Sequence, residues 1–350
     1  MITVNRKNML DNLKLHAAAL KVQDKDTRFF DDYVTISIGG GILTIETDRN
    51  CYLETRTACV DTQGLERSRR VELYKLRSVI EYSTGTDISF NMTYDAIEFE
   101  SLYSVPVYMP NAPLTHETGE LVEEFAFEFT ELKTAFNVVN YAIPKKDVRL
   151  CLNDACYKKI KNKFCLLGSD GHRLALAPIE LNCETSFHLP KWSAFIFTTK
   201  EHHDAKMTIY ESRLKIETNE FTLSFYHKPE NYPDFSRVYD EKYTEHTVNK
   251  KDLLKELTLI SKMCKGKNVG AQFSIANQLL KLNTDVVNLA VNVEGYQDNT
   301  CGLDISFALA AIKACTGNKI GIRMHRERLV IFTDGNTEHL VMVCKLYAGE

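Results

Sequence analysis

Apolar residues recur every three to four positions in two segments of the chain that begin with nearly the same residues. Residues 3–10 read T-V-N-R-K-N-M-L, and residues 247–254 read T-V-N-K-K-D-L-L. In the first segment the apolar stripe continues through Leu13, Ala17 and Leu20, which predicts an amphipathic helix. A looser copy, F-E-F-T-E-L-K-T, lies at residues 127–134. Three helices with similar openings indicate an internal repeat.

Strands and one further helix are predicted after each opening segment. The second helices are predicted at Val71–Tyr82, Pro190–His203 and Asp304–Cys315. Apolar and polar residues alternate elsewhere, as in I-S-F-N-M-T-Y-D-A-I-E-F-E at residues 88–100. Such alternation predicts antiparallel sheets with one buried face, and two helices packed on these sheets make an α+β domain.

The repeat has a period on the order of 115 residues, which is the size of a small domain. We therefore predict three tandem domains at residues 1–113, 125–240 and 241–350, with a polar, proline-containing linker at 114–124. Three similar domains in a row favour a scaffold protein built by repetition. Such a repeated structure rarely carries a single catalytic centre, so an enzyme is disfavoured.

The composition indicates a packed soluble protein. Of the 350 residues, 44% are hydrophobic and 26% are charged. There is no apolar run of 18 residues and no signal-peptide core at the N-terminus, so we expect a cytoplasmic protein. The ten cysteines lack the close pairs typical of zinc sites. We expect mostly buried free thiols, with no metal and no cofactor.

Charge is unevenly distributed although the net charge is only −4. Residues 78–132 hold eleven acidic residues and neither Lys nor Arg, whereas residues 250–267 hold six Lys against two acidic residues. Basic residues thus gather on the predicted first helices. Each helix taken alone could simply have a solvated face, but recurrence in equivalent helices favours one shared basic surface.

The densest group of reactive side chains lies in G-S-D-G-H-R-L-A at residues 168–175. Ser169, Asp170 and His172 could suggest hydrolase chemistry. Triad members normally come from separate segments, however, and Ser169 lacks the glycines of a nucleophile elbow. A tight Asp-Gly turn between two strands is the favoured interpretation. The enzyme hypothesis would rest on Asp170 and His172 alone.

Together with V-R-L-C-L-N at 148–153 and Y-P-D-F-S-R-V at 232–238, this motif resembles the middle domain of the bacterial sliding clamp. That family is the beta subunit of the replicative DNA polymerase III. The run L-V-M-V-C-K-L at 340–346 resembles the last strand of the clamp. The family usually has Met-Pro-Met-Arg-Leu there, so the chain resembles a divergent clamp, such as a phage-encoded one.

The resemblance implies three DNA-clamp domains per chain and a six-domain ring of two chains, joined head to tail around duplex DNA. It implies a non-enzymatic processivity factor that tethers the DNA polymerase, and partners that include the clamp loader, peptides with a clamp-binding motif and a second copy of the chain. The alternative hypothesis is a clamp-like interaction scaffold that does not encircle DNA.

The resemblance also implies three sets of site residues. Lys146 and Arg149 match a loop of the family that touches DNA. Further DNA-binding candidates on helices are Lys7, Lys14, Lys75, Arg77, Lys133, Lys191, Lys200, Lys250 and Lys313. The peptide pocket is expected to contain Leu152, Ser169, Gly171, His172, Arg173, Leu174, Pro233, Arg237, Val238, Met342, Val343 and Leu346. The dimer interface is expected at Val105, Val107 and Tyr108 of an edge strand, and at Met263 and Cys264.

Overall fold

The structure is a computed structural model of the whole chain. It describes residues 1–21, 32–48, 51–62, 64, 66–100, 103–110, 119–160, 162–198, 204–227, 231–235, 244–264, 270–284, 288–294, 299–324 and 328–344. The chain forms two compact units, one of residues 1–130 with 195–228 and the other of residues 131–194 with 229–350. Each unit contains one twelve-stranded antiparallel sheet.

The sheet of the first unit contains strands from the first half of the chain and from residues 204–226. Its strands are β1 (Ile2–Asn5), β2 (Tyr33–Gly39), β3 (Ile42–Asp48), β4 (Cys51–Asp61), β5 (Arg67–Glu72), β6 (Asp87–Met92), β7 (Ala96–Phe99), β8 (Ser104–Tyr108), β9 (Leu121–Glu128), β14 (Asp204–Tyr210), β15 (Arg213–Glu217) and β16 (Phe221–Tyr226). The spatial order is β1-β6-β7-β8-β5-β2-β3-β4-β16-β15-β14-β9, and β1 also pairs with β4. Helices α1 (Arg6–Lys21) and α2 (Leu73–Tyr82) share a core with the strands of the first hundred residues.

The sheet of the second unit has the same number of strands. They are β10 (Asp154–Ile160), β11 (Lys163–Ser169), β12 (Arg173–Pro178), β13 (Phe187–Pro190), β17 (Glu245–Asn249), β18 (Gly270–Ala276), β19 (Leu279–Asn283), β20 (Asn288–Glu294), β21 (Asn299–Asp304), β22 (Lys319–Met324), β23 (Leu329–Thr333) and β24 (Glu338–Met342). Their order is β13-β10-β11-β12-β24-β23-β22-β17-β20-β19-β18-β21. The helices α4 (Lys250–Met263) and α5 (Ile305–Ala314) pack on each other and share the unit's larger core.

Four further helical segments lie in the described part of the chain. Helix α3 runs from Phe129 to Val139, and three 3-10 helices span Asn140–Ala142, Leu150–Asn153 and Lys191–Thr198. The sheets cross the predicted domain boundaries, because β4 pairs with β16 in one unit and β12 pairs with β24 in the other. The three-domain boundaries stay a prediction.

The repeated T-V-N segments each join a strand to a helix. Asn5 and Asn249 end β1 and β17, and the next residue begins α1 or α4. The Asn249 side-chain oxygen accepts from the backbone N–H groups of Lys251 and Asp252 at 2.9 and 3.2 Å. The Asn5 oxygen accepts from the Asn8 N–H at 3.1 Å. Asparagine recurs here because its side chain satisfies N–H groups that the first helical turn leaves without partners.

The predicted second helices are correct in two repeats and wrong in the middle one. Pro190 ends strand β13, and the Lys191–Thr198 segment that follows is a 3-10 helix instead of the predicted α-helix. The Ser193 hydroxyl donates to the Pro190 carbonyl at 2.7 Å, and such local side-chain bonds compete with a regular helix. Aromatic and β-branched residues between 195 and 198 lower the helix propensity further. Residues 199–203 lie outside the described part of the chain.

Two element boundaries differ from those predicted. Val71 belongs to β5 instead of a helix, because it is fully buried and pairs with Val34 of β2. Strand β9 begins at Leu121, inside the predicted linker 114–124, where the acidic residues conceal the strand pattern. Glu124 there is exposed and forms a 3.0 Å ion pair with Lys206 of β14.

Gly168 lies where β11 passes close to the end of α3. A Cβ at this position would lie 2.6 Å from the Val139 carbonyl oxygen and 2.9 Å from the Ile143 side chain. We therefore predict that Gly168→Ala lowers the free energy of unfolding by about 1–3 kcal/mol, because backbone atoms must move to make room. The matched control is Gly39→Ala, whose Cβ would meet only the flexible Glu66 side chain at 3.3 Å. Urea unfolding followed by circular dichroism measures the free energy of unfolding of both variants. Equal destabilisation by the two variants would contradict the close approach of β11 to α3 at Gly168.

Candidate functional site

The motif at residues 168–175 forms a tight turn between β11 and β12. The Asp170 Oδ1 atom accepts from the N–H groups of His172 and Arg173, each at 3.0 Å, and Gly171 has a φ of +85°. The Ser169 hydroxyl donates to the Arg173 carbonyl at 2.8 Å. The structure confirms the turn, and the side chains of Ser169 and Asp170 serve its geometry. No hydrogen bond joins Ser169 to the His172 ring among the interactions of the described residues.

The turn lies at the end of an apolar cluster in the second unit. Leu152 and Leu174 are both nearly fully buried in it. The other buried members of the cluster are Cys156, Cys165, Leu167, Leu176, Tyr232, Leu329, Ile331 and Leu340. The 3-10 helix Leu150–Asn153 directs Leu152 into this cluster from the loop, and strand β12 contributes Leu174.

Strand β24 brings the end of the chain to the same turn. Leu174 pairs with Leu340, and Arg173 pairs with Val341. The Met342 N–H donates to the His172 carbonyl oxygen at 2.8 Å, while the Met342 side chain is 52% exposed. A methionine that is held by its backbone but open to solvent can close over an apolar ligand. Sequence reasoning thus brought together residues that are about 170 positions apart.

Aromatic rings flank the Arg173 guanidinium. Its central carbon lies 4.7 Å from the Phe307 ring centre and 5.5 Å from that of Tyr141. The Arg173 Nε atom donates to Asp170 Oδ2 at 2.8 Å. The exposed His172 ring stacks near Phe307, with centroids 6.3 Å apart. These contacts hold Arg173 and His172 at the rim of the apolar cluster.

The Arg149 guanidinium also lies over the turn. Its Nε and Nη2 atoms donate to the two Asp147 carboxylate oxygens at 3.0 and 2.9 Å, and Nη2 also donates to the Asp170 carbonyl oxygen at 3.0 Å. A Cβ on Gly171 would lie 2.8 Å from Arg149 Nη1, so only glycine permits this approach. The DNA contact that the resemblance implies for Arg149 stays a prediction, and the structure shows the side chain bonded to the turn at Asp170.

The remaining predicted pocket residues have different surroundings. Pro233 is exposed beside buried Tyr232. Val343 packs against the core built by α4 and α5, not against the cluster that contains Leu174. Its N–H donates to the Arg328 carbonyl at 3.0 Å, so it anchors the strand that carries Met342. Arg237, Val238 and Leu346 lie outside the described residues.

Sequence reasoning missed several members of the apolar cluster. Tyr232 and Phe235 have ring centres 6.0 Å apart, and Phe235 and Cys151 are partly buried against the cluster. Both aromatic residues stand in the Y-P-D-F run that carried the family resemblance, so the signal was present. Leu329 had no such signal, because only its pairing with Met342 on β24 brings it to the pocket.

Several predicted DNA-binding cations already have partners within the protein. The Nζ atoms of Lys191 and Lys250 donate to the backbone carbonyls of Ile143 and Cys315. Burial and the nearby Arg173 and Lys145 lower the pKa of Lys191. Ion pairs join Lys75 to Glu72 at 2.7 Å, Arg77 to Glu81 at 2.8 Å and Lys14 to Asp11 at 3.4 Å.

Exposed lysines form a stripe along each of two helices. Lys7, Lys14 and Lys21 are seven residues apart on α1, which places them on one face two turns from each other. Lys251, Lys255 and Lys262 form the corresponding stripe on α4. Sequence reasoning missed Lys21 and this second set, because burial was needed to distinguish Lys250 from Lys251.

The other predicted cations are spread over separate elements. Lys146 is exposed in the loop before Arg149, Lys313 is exposed near the end of α5, and Lys133 is half-buried on α3. Lys200 lies outside the described residues.

The predicted interface strand is β8, which lies between β7 and β5 in the sheet order instead of at the edge of the sheet. Its residues Ser104–Pro106 pair with β7, and Val107 and Tyr108 pair with β5, so each half of the strand has one neighbour. Val105 and Val107 are buried, whereas about half of the Tyr108 side chain is exposed. In the second unit, Met263 is about half exposed and Cys264 is half-buried at the end of α4.

The described ranges also bear on metal binding and on membrane insertion. No group of three or more His, Cys, Asp or Glu side chains there is arranged to hold a metal ion. Among the same residues, no helix has both the length and the apolar character needed to span a membrane.

Comparison with solved structures identifies the fold. The sliding clamp of Pseudomonas aeruginosa bound to griselimycin matches 99% of this chain over 100% of its own, with a TM-score of 0.87 and 18% identity. The match to the DNA polymerase III beta subunit of Thermotoga maritima covers 99% of this chain and 100% of that protein, with a TM-score of 0.83 and 20% sequence identity. The match to the Bacillus subtilis sliding clamp covers 99% of each chain, with a TM-score of 0.82 and 14% sequence identity. The chain has the sliding-clamp fold, which confirms the fold implied by the sequence motifs.

The similarity lies in the structure and is weak in the sequence. No protein-family model matches the chain, and no curated protein shows significant sequence similarity to it.

The Asp147–Arg149 pair provides a direct check of the rim geometry. Hydrogen bonds from the Arg149 side chain and backbone lower the pKa of Asp147 to about 2. We predict that Arg149→Ala raises the Asp147 pKa part of the way to its ordinary value near 4, because the side-chain bonds are lost while the backbone N–H of residue 149 still donates to the carboxylate. Carbon-detected NMR titration of the carboxyl group measures the change. The Lys146→Ala variant removes a neighbouring cation but keeps these hydrogen bonds, so the Asp147 pKa should stay low. An ordinary Asp147 pKa in the unmodified protein would contradict the pairing.

Proposed function

We propose that this protein is a DNA sliding clamp, a non-enzymatic processivity factor that encircles duplex DNA and tethers a replicative DNA polymerase in the cytoplasm. The observation that carries the proposal is the apolar cluster of the second unit, where β24 pairs with β12 and the Met342 N–H donates to the His172 carbonyl oxygen close to Leu174. The full-length match to bacterial clamps supports the same function.

The ring is proposed to contain two chains joined head to tail. Cyclic symmetry would close such a ring and pair the strand edges that a single chain leaves open. The exposed side chains of Tyr108 and Met263 support the predicted interface, which would include Val105, Val107 and Cys264. Residues 1–113, 125–240 and 241–350 are proposed as the three domains that each chain contributes.

DNA is proposed to be held by topology and by loose attraction to phosphates. The exposed stripes on α1 and α4 suit this role, since a lysine on a flexible stem attracts phosphate without fixing a register. Lys146 and Lys313 would add to them. Lys191 and Lys250 are weaker candidates, because each donates to a backbone carbonyl.

The pocket is proposed to bind short peptides from the polymerase, the clamp loader and other replication partners. Its floor is apolar, and its rim has hydrogen-bond donors, as peptide-binding grooves require. Clamps of Pseudomonas aeruginosa and Bartonella birtlesii have been solved with griselimycin bound. Griselimycin is therefore a second ligand with which to test this chain.

One observation favours the alternative of a clamp-like scaffold that does not encircle DNA. Pro106 lies in β8 and has no N–H group, so this strand can offer fewer hydrogen bonds to a second chain. A scaffold would keep the peptide pocket and lose retention on circular DNA.

The proposed DNA contact predicts a specific loss of retention. Changing Lys251, Lys255 and Lys262 together to Glu should speed loss from nicked circular DNA at least tenfold at moderate salt, because three attractive charges become repulsive. Surface plasmon resonance measures the dissociation. The matched control changes three exposed strand lysines, Lys159, Lys163 and Lys206, to Glu. Equal loss in both variants, or full retention by the α4 variant in low salt, would contradict the role of the stripe.

The pocket predicts a selective loss of peptide binding. Met342→Ala should weaken binding of a peptide from the cognate polymerase at least tenfold, about 1.4 kcal/mol, because it removes apolar area that closes over the ligand. Leu174→Ala should weaken the binding as well. Leu259→Ala removes a similarly exposed apolar side chain on α4 and should have no effect. Calorimetry measures the affinity of all three variants for the peptide and for griselimycin. Full affinity in both pocket variants would place the binding site elsewhere.

A further inference from the structure

Two tyrosine rings stand exposed on helix α2 of the first unit. Tyr74 is 74% exposed and Tyr82 is 84% exposed, and no other aromatic side chain of the described residues is as exposed as these two. Neither ring forms a hydrogen bond or a ring contact with another described residue. Tyr94 is also exposed, but the Arg69 guanidinium carbon lies 5.4 Å from the centre of its ring. The two rings of α2 are therefore available to a partner.

The two rings lie on one face of the helix. Tyr74, Ser78 and Tyr82 are spaced four residues apart, close to one helical turn, so the two tyrosines are separated by about 12 Å along the helix axis. At this separation the rings do not stack on each other, and the residue between them is a small serine. The opposite face of α2 is buried through Leu76 and Ile80. A flat aromatic group can thus approach either ring from the solvent.

The lysine stripe of α1 belongs to the same surface. Arg6 Nε and Nη2 donate to the carbonyl oxygens of Ile80 and Glu81 at 2.9 and 3.0 Å, so the start of α1 lies beside the end of α2. Both helices bury their apolar residues in one core, and their exposed residues therefore lie on the side away from it. Together the two helices hold six basic and two acidic residues, in a chain whose net charge is −4. This surface favours an anionic partner.

Helix α2 contributes rings to this surface more than charge. Its two cations are paired, Lys75 with Glu72 at 2.7 Å and Arg77 with Glu81 at 2.8 Å. The positive field therefore comes mainly from the exposed lysines of α1. The sequence singled out the α2 cations as DNA-binding candidates and missed the tyrosines, because exposure was needed to distinguish them from core residues.

Single-stranded DNA fits this combination of rings and lysines better than duplex DNA does. In a duplex the base faces are covered by stacking on each other, so its interior bases offer nothing to an exposed ring. A single strand exposes its bases, and aromatic side chains stack on them without regard to sequence. Lysines on flexible stems attract the phosphates of the same strand. The described surface has both components side by side.

We propose that Tyr74 and Tyr82 stack on the bases of single-stranded DNA, whose phosphates are attracted by the lysine stripe of α1. In the proposed clamp, this surface would hold the single-stranded template that adjoins a primer end. The stacking itself does not require a closed ring, so it can be tested apart from the proposed function.

The test measures the binding of labelled strands of about 20 nucleotides to the full-length protein by fluorescence anisotropy at low salt. One strand carries a mixed base sequence, and a matched strand has the same phosphates with abasic sites in place of the bases. The third probe is a duplex of the same length. Three variants change both tyrosines to Ala, both tyrosines to Phe, or Lys7 and Lys21 to Gln. The control Tyr226→Ala removes an exposed tyrosine from strand β16.

We expect the unmodified protein to bind the base-bearing strand at least about tenfold more tightly than the abasic strand. Changing both tyrosines to Ala should abolish this preference while the affinity for the abasic strand changes less than about threefold, which also shows that α2 is still folded. The Phe variant and Tyr226→Ala should keep the preference. The Lys7→Gln and Lys21→Gln variant should weaken the binding of both strands by similar factors, because it acts on phosphates.

Four results would overturn the inference. The first is no binding of the base-bearing strand, or binding without a base preference, by the unmodified protein. The second is a preference that persists in the Ala variant. The third is an equal loss of duplex binding in that variant, which would make the tyrosines duplex contacts. The fourth is weaker self-association of that variant in sedimentation, which would assign the rings to a contact between copies. Retention of the Ala variant on circular duplex DNA tests the proposed clamp separately.

Discussion

The pairing of β12 with β24 is the constraint on which the functional surface depends. Four residue pairs, from Arg173–Val341 to Leu176–Glu338, join strands that are far apart in sequence. Without this pairing, the turn at Asp170 would lack the neighbouring strand β24, and the Met342 N–H would lose its acceptor on His172. The strands contribute buried side chains to the same cluster, so formation of the sheet also assembles the proposed pocket. The outer parts of the site are the turn and the Arg149 loop, which rest on this sheet.

The sequence predicts those features that local chemistry determines. The Asp-Gly turn and the alternating strands follow from turn and period rules, and the structure has both. The 3-10 helix after Pro190 could not be predicted in the same way, because apolar spacing alone does not distinguish it from an α-helix. The contact of Leu329 with the pocket depends on long-range strand pairing, and the direction of the Arg149 side chain depends on the space above Gly171.

Cations in this protein fall into two groups that the sequence does not separate. Arg149, Arg173, Lys191 and Lys250 are fixed by carboxylates, rings or backbone carbonyls. The lysines of the α1 and α4 stripes are exposed on helix surfaces. Fixed cations suit recognition of one ligand group in one geometry, whereas exposed lysines suit an attraction that must not hold DNA in one register. In the proposed clamp, the fixed cations would serve recognition and the exposed lysines would serve loose attraction to DNA.

The central claim is that two copies of this chain close around DNA, and topology provides the most direct test. The protein is loaded on nicked circular DNA by its clamp loader and isolated by gel filtration at a salt concentration that removes simple electrostatic binders. The DNA is then cut once with a restriction enzyme. Our account predicts that a dimer stays on the circle and leaves within minutes of linearisation by sliding off the ends. Retention that is the same on circular and linear DNA, or no retention on either, would contradict an encircling ring.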